Sequence, residues 1–301
     1  MAARLRRKHF IFIFLWQLWH HSLQAVNGLN FFYHLVSIFI HQQAKLMIKK
    51  IASHLIYLSF FMLSAQFCSA QTGLRLGVKG GISIPNLQSS GDNPVSAGWS
   101  TSKGPYAGIV AELQLSDRFY LQGELNYSSQ GGKKDGAQAI PTAGYEAFFP
   151  VGFPVPPYLY ADFYSEGKFG YLELPILLKA NFRLGETTSF FVNGGPYFGY
   201  LLKAQSITKG SSNVYYDAGL TQPFLTAPIS FDAEMDIKDE LKKFNFGIQA
   251  GIGLSLDLAN ENRLMFTVGG NYGLIPIQKD EVNGQNNIGA ATATVAYLIK
   301  F

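Results

Sequence analysis

Seven ionisable side chains, Arg75, Lys79, Glu112, Glu124, Glu173, Lys179 and Asp257, fall on the polar side of segments whose apolar residues recur at every second position. Side chains alternate across a strand, so these groups point away from the apolar face toward one polar space. Cations and carboxylates confined together can neutralise one another as a structural ion-pair network. The same groups could instead line an ion path or a proton relay. The width of the space they share decides between the two.

Two further constellations have chemical potential. Asp232, Glu234, Asp236, Asp239 and Glu240 offer oxygen ligands for a divalent cation. They lack EF-hand spacing and its loop glycine, so a solvated acidic loop is the better reading. Tyr145, Phe148, Phe149, Phe153, Tyr158 and Tyr160 crowd a stretch that also holds Pro141, Pro150, Pro154, Pro156 and Pro157. Aromatics stiffened by proline could form a partner-binding loop; the alternative is an aromatic girdle packed on a rim.

Catalytic signatures are missing. There is no G-x-x-x-x-G-K-[ST], no G-x-S-x-G and no H-E-x-x-H. All six histidines (His9, His20, His21, His34, His41, His54) and the single Cys68 lie in the first 70 residues. The rest of the chain therefore has no His or Cys metal ligand and no His general base. This leaves no expected cofactor or metal and argues against an enzyme.

The 301 residues are 48% hydrophobic, 15% aromatic and 15% charged, with 31 glycines. The formal charge of +4 conceals a split: residues 1–70 carry seven basic and no acidic side chains, leaving 17 basic and 20 acidic residues in the remainder. The basic bias belongs to the leader, so nucleic acid is not an expected partner.

The elements that must position these groups are strands. In 244–258, Phe244, Phe246, Ile248, Ala250, Ile252, Leu254, Leu256 and Leu258 alternate with Asn245, Gly247, Gln249, Gly251, Gly253, Ser255 and Asp257. Segments 73–84, 119–128 and 170–182 alternate the same way, and 105–115, 188–203, 262–275 and 287–301 bring the count to eight. Several exceed the mean soluble strand of about 5–6 residues and meet the ~9–11 needed to cross a bilayer with tilt. One face is apolar and the other carries Gly, Ser, Asn and single charges, as in a narrow lumen. Lipid offers no hydrogen bonds, so such a sheet must close on itself. The expected fold is all-β, a transmembrane antiparallel up-and-down barrel of about eight strands. Eight strands leave an interior only wide enough for side chains, which favours the structural network.

Tight connections near 116–118, 184–187 and 259–261 alternate with longer ones at 85–104, 131–166, 206–240 and 277–286. That matches periplasmic turns and long extracellular loops. Residues 47–70 read as a Sec signal peptide, with Lys49 and Lys50 before an apolar core and small residues at Ser69 and Ala70, cleaved near Ala70. Residues 1–46 read as a mis-assigned N-terminal extension, because Met47 begins a complete signal by itself. The barrel domain is then 71–301, located in the outer membrane with its lipid as first partner. The last strand ends in Phe301, a terminal aromatic of the kind that barrel assembly machinery reads.

Gly77-Val78-Lys79-Gly80-Gly81, Tyr171-Leu172-Glu173-Leu174-Pro175, Leu177-Leu178-Lys179, Gly194-Gly195-Pro196, Gly199-Tyr200-Leu201 and the terminal strand together resemble the PorT family of outer-membrane β-barrel proteins of Bacteroidota. The resemblance covers about residues 71–301. It implies barrel architecture and, from the family's named member, a part in protein secretion across the outer membrane. The function expected is non-catalytic: anchoring or scaffolding an envelope process, with an envelope or secretion protein as partner. A small transport or ion-conducting barrel and a His-free envelope enzyme are the alternatives.

Overall fold

The computed structural model describes residues 73–301 apart from Phe153. The expectations for 1–46 and 47–70 lie outside the described residues, as do Phe153 and the Phe148 side chain.

Eleven strands form: β1 (Leu74–Ser89), β2 (Gly104–Gln114), β3 (Phe119–Pro141), β4 (Tyr158–Arg183), β5 (Thr188–Lys209), β6 (Ser211–Tyr215), β7 (Pro223–Ser230), β8 (Ala233–Asp236), β9 (Phe244–Asp257), β10 (Arg263–Gly273) and β11 (Asn286–Lys300). Eight of them close into a ring of antiparallel neighbours, β1-β2-β3-β4-β5-β9-β10-β11, with β11 returning to β1. Each neighbour in the ring follows the last along the chain except for the β6–β8 excursion, so this is an up-and-down barrel. Closure leaves no unpaired edge in the ring.

Burial runs opposite to that of a soluble sandwich. Val78, Ile109, Leu178, Ile248, Ile252 and Val268 are each more than half exposed on the outside, while Glu112, Glu173 and Lys179 are wholly buried inside. A continuous apolar outer belt of this extent requires an apolar solvent.

The barrel interior takes large side chains because glycines face them. A Cβ on Gly247 would lie 2.4 Å from the Tyr197 ring, and one on Gly253 would lie 2.5 Å from the Phe191 ring. Both rings are fully buried. The glycine-rich polar face of β9 is therefore the floor on which two aromatic side chains rest.

The two long connections expected at 131–166 and 206–240 are mostly sheet. β3 and β4 stay paired from Gly131↔Lys168 to Pro141↔Tyr158, so the true connection is only 142–157. Tyr158 and Tyr160 are strand residues, not loop residues. Beyond β5, the chain passes Gly210 into β6, turns, and returns as β7 and β8. β7 pairs β6, and β8 pairs Gln205–Thr208 of β5. The upper parts of β3, β4 and β5/β6, with β7/β8, thus form a four-stranded wing past the loop end of the barrel. The reason is solvent: the outward face of the wing meets water instead of lipid, so pairing continues without the apolar alternation that marks the lower halves of the same strands, while Lys134, Gln138, Leu159 and Ala161 stay covered on the other face.

A candidate functional site in the barrel lumen

Three polar layers fill the interior. The layer nearest the short turns centres on Glu112. β2, β4, β10 and β1 bring Lys179, Arg263 and Arg75 to it. Lys179 Nζ donates to Oε2, Arg263 Nη1 donates to Oε1 at 2.6 Å, and Arg75 Nη1 lies 3.7 Å away. Arg263 Nε also donates to Asp257 Oδ1 at 2.7 Å, and Arg75 Nε to the Glu261 carbonyl at 3.1 Å. The cations rest on aromatic faces: Lys179 Nζ is 4.5 Å from the Phe191 centroid, and the Arg263 guanidinium is 5.2 Å from that of Tyr120.

The middle layer pairs Lys79 with Glu124 at 2.7 Å. Gln122 and Asn126 amides donate to the same carboxylate at 2.5 and 2.7 Å, and Asn126 also donates to the Tyr106 hydroxyl at 2.9 Å. Glu124 is thus held by one ammonium and two amides, so both of its oxygens have donors.

The third layer departs from expectation. Glu173 has no salt-bridge partner among the described residues. Its carboxylate instead accepts from the Gln130 amide at 3.1 Å and from the Asn271 amide at 3.1 and 3.0 Å. The register explains this. Glu173 lies directly opposite Asn126 and Gly199, neither of them a cation, and Lys79 across the lumen is already engaged by Glu124. Of the seven expected network residues, six make ion pairs and Glu173 makes amide hydrogen bonds. Arg263 is the member that sequence reasoning missed. Its signal was available: it opens a strand directly opposite Asp257 across a tight turn and sits two positions from buried Met265.

Above Glu173 the lumen turns apolar. Leu87, Phe169, Tyr171, Leu201, Ala204, Leu241, Ile277 and Ile288 form one buried cluster, with Trp99 and Ile237 against it. Ile237, Leu241 and Ile277 come from loop-end connections, so the chain folds into the barrel mouth and stoppers it with hydrocarbon.

Outside the lumen, the expected aromatic stretch is divided. Tyr145 is exposed. Phe149 stacks on Phe224 of β7 at 5.1 Å, and Phe224 meets Tyr216 edge-on at 5.3 Å. Tyr160 pairs with Tyr215 of β6. These contacts fasten the 142–157 connection to the wing. Among the described residues no group of three or more His, Cys, Asp or Glu side chains is arranged to hold a metal ion. Glu234, Asp236, Asp232 and their neighbours lie spread along β8 and its flanks. Glu234 accepts from Gln205, and Asp232 from the Gly210 amide.

The closed eight-stranded ring with an apolar exterior and a paired polar interior has a counterpart in sequence. Residues 65–279 match the family described as outer membrane protein beta-barrel domain. The chain belongs to that family. It is an outer-membrane β-barrel protein, and outer-membrane lipid is what its apolar belt meets. Among solved structures it is similar to Ail, the attachment invasion locus protein of Yersinia pestis, at 12% identity over 75% of this chain and 99% of that one, TM-score 0.32. It is also similar to Neisserial surface protein A, NspA, at 12% identity over 76% and 97%, TM-score 0.33. OprG from Pseudomonas aeruginosa gives 8% identity over 77% and 98%, TM-score 0.34. No curated protein matches.

Proposed function

We propose that this outer-membrane barrel is non-catalytic and anchors an envelope process, with the wing as the part that meets a partner. The observation that carries the reading is the pairing of a stoppered lumen with a large sheet standing clear of the barrel. A lumen filled by ion pairs and capped by Leu241, Ile277 and Ile288 supports a barrel that does not pass solutes. The wing extends four strands past the apolar belt, on what we take to be the extracellular side because the opposite end has only tight turns. The absence of His and Cys from 73–301 supports a role without an imidazole general base or thiol chemistry. The PorT-like motifs favour protein secretion as the process and an envelope or secretion protein as the partner. Sec export with cleavage near Ala70, and recognition of the strand ending in Phe301 by the assembly machinery, complete the reading.

The test is cross-linking in intact cells, purification of the detergent-solubilised protein and identification of what accompanies it. The expected result is a specific envelope or secreted protein that is lost when residues 211–230 are replaced by a short linker. Heat-modifiable gel migration would show that the barrel itself survives that change. A barrel that comes out alone in both forms would overturn the reading. Planar-bilayer recording addresses conduction: silence is expected, and discrete reproducible steps would instead support a transport barrel.

A further inference from the structure

Beyond a bulge at Gly170/Tyr171 the β4–β5 ladder runs in register from Gly170↔Lys203 to Tyr164↔Lys209, and β4 meets β6 next at Tyr160↔Tyr215. Four residues of β4 are thus matched by six on the other side, so two extra residues interrupt the ladder. Gly210, with φ of +119°, makes the turn-out, and the Asp162 amide bonds the Ser212 hydroxyl instead of a backbone carbonyl. The stacked rings of Phe163 and Phe231, 4.5 Å apart, tie β4 to the connection between β7 and β8. Bulges of this kind re-aim side chains and recur beside binding sites.

The gap is a cleft of about 450 Å³ on the outward face of the wing. Tyr164 stands at its centre, with Asp135 directly across on β3, Lys209 directly across on β5, and Asp162 two residues along on the same face. Asp135, Asp162 and Lys209 are exposed, and among the described residues none of the three has an ion-pair partner. The Tyr164 hydroxyl donates to Glu166 at 3.0 Å, which fixes its ring, and Tyr215 lines the cleft as a second aromatic. Three charges of mixed sign, unpaired and converging beside aromatic faces, suit a ligand that is polar at its edge and apolar on its face.

Height adds a constraint. If β3 crosses the hydrocarbon in about ten residues from Phe119, Asp135 stands about 15 Å beyond it at a strand tilt near 40°. The cleft therefore stands clear of the hydrocarbon, where a water-soluble ligand can reach it.

We infer that this cleft binds an amino-sugar ring, with the carboxylates of Asp135 and Asp162 taking the sugar ammonium and a hydroxyl, Lys209 donating to a hydroxyl or ring oxygen, and Tyr164 and Tyr215 covering the apolar face of the ring. Among the charges that line the cleft the carboxylates outnumber the ammonium by one, which favours a cationic sugar over its neutral analogues. This rests on the wing being extracellular, but not on its having a protein partner. The sugar could belong to a membrane glycolipid or to a free glycan.

The test uses the mature protein in detergent, with saturation-transfer NMR and titration against glucosamine, N-acetylglucosamine and glucose. Glucosamine should saturate and outcompete the two neutral sugars at least tenfold. The D135N/D162N variant should lose that preference while keeping its heat-modifiable migration. A second variant, K209M, should weaken all three sugars alike. No saturable binding, no preference for glucosamine, or a preference that survives D135N/D162N would overturn the assignment. Lipopolysaccharide and its lipid-free core saccharide then separate the sources. Competition by both supports a site that reads sugar alone. Competition by the intact glycolipid alone, with glucosamine inert, would place the binding on the lipid face and defeat the cleft. Failure here leaves the partner cross-linking of the preceding subsection untouched.

Discussion

The lower and upper halves of β3, β4 and β5 are the same strands in two different solvents, and they use polar side chains in opposite ways. In the lumen, Glu112, Glu124, Lys79, Lys179 and Arg263 are buried and paired within 2.7 Å or less. In the wing, Asp135, Asp162 and Lys209 are exposed and unpaired. A charge removed from water must be answered where it stands, whereas an exposed one is answered by solvent. The lumen charges are therefore part of the fold, and the wing charges remain available to a ligand.

The sharpest way to break this comparison is to remove one carboxylate from each region. Glu112→Gln leaves Lys179, Arg263 and Arg75 buried against a neutral amide. Uncompensated buried charge costs about 3–5 kcal/mol. Urea unfolding in lipid vesicles, followed by Trp99, the single tryptophan beyond residue 70, should show an unfolding free energy lower by that amount. Asp162→Asn on the wing should change the unfolding free energy by less than about 0.5 kcal/mol. Equal effects from the two would mean that burial does not separate the regions.

The apolar stopper comes next. Ile277→Ala removes a fully buried side chain from the cluster of Leu201, Leu241 and Ile288. The expected loss is about 2–3 kcal/mol, at the low end for Ile→Ala because Ile277 is carried by a loop that can settle into the gap. The same variant sharpens the functional contrast. If the stopper seals the lumen, truncating it should be the change that first produces conductance steps, since the polar layers below offer water its partners.

How much of this could be read in the sequence followed the solvent boundary. Where one face meets lipid and the other the lumen, period-two alternation is strong. It located all eight ring strands and the lumen positions of Arg75, Lys79, Glu112, Glu124 and Lys179. Beyond the boundary the signal disappears although the sheet does not. Gly131-Gly132 looks like the start of a loop, yet β3 continues for nine residues past it to Pro141. Tyr158 and Tyr160 looked like loop aromatics for the same reason. Arg263 escaped notice because a charge at a strand's first position resembles a turn residue until its partner across the turn is known. The stopper was invisible for a different reason: Leu241 and Ile277 are isolated apolar residues in polar connections, and only the closed ring gives them somewhere to go.

Within the lumen itself the comparison narrows to two carboxylates. Glu173 is as deeply buried as Glu112 but is held by amides of Gln130 and Asn271. Glu173→Gln preserves the shape and leaves no cation bereft of its partner, so the expected change is within about 1 kcal/mol. A loss as large as that for Glu112→Gln would show that Glu173 balances the cations below it through the lumen rather than being satisfied locally.

The last contrast lies at the junction of the two regions. Lys134, on the upper part of β3, turns inward, donates to the Val95 carbonyl at 2.7 Å and lies 4.8 Å from the Trp99 ring. Burial pulls its ammonium down to about 8 from the usual 10.5. The folded value lies below the unfolded one, so the charged form is disfavoured on folding. The penalty is complete below about pH 8 and disappears as pH rises through 10.5. Hydrogen exchange at the β3–β4 extension compares wild type with Lys134→Met. The variant has no ammonium to desolvate, so wild type should gain protection relative to it between pH 8 and 10.5, with little relative change from pH 6 to 7. A flat difference across the upper window would mean that Lys134 keeps its water, and that the boundary between buried and exposed charge lies lower on β3 than the packing of Trp99 implies.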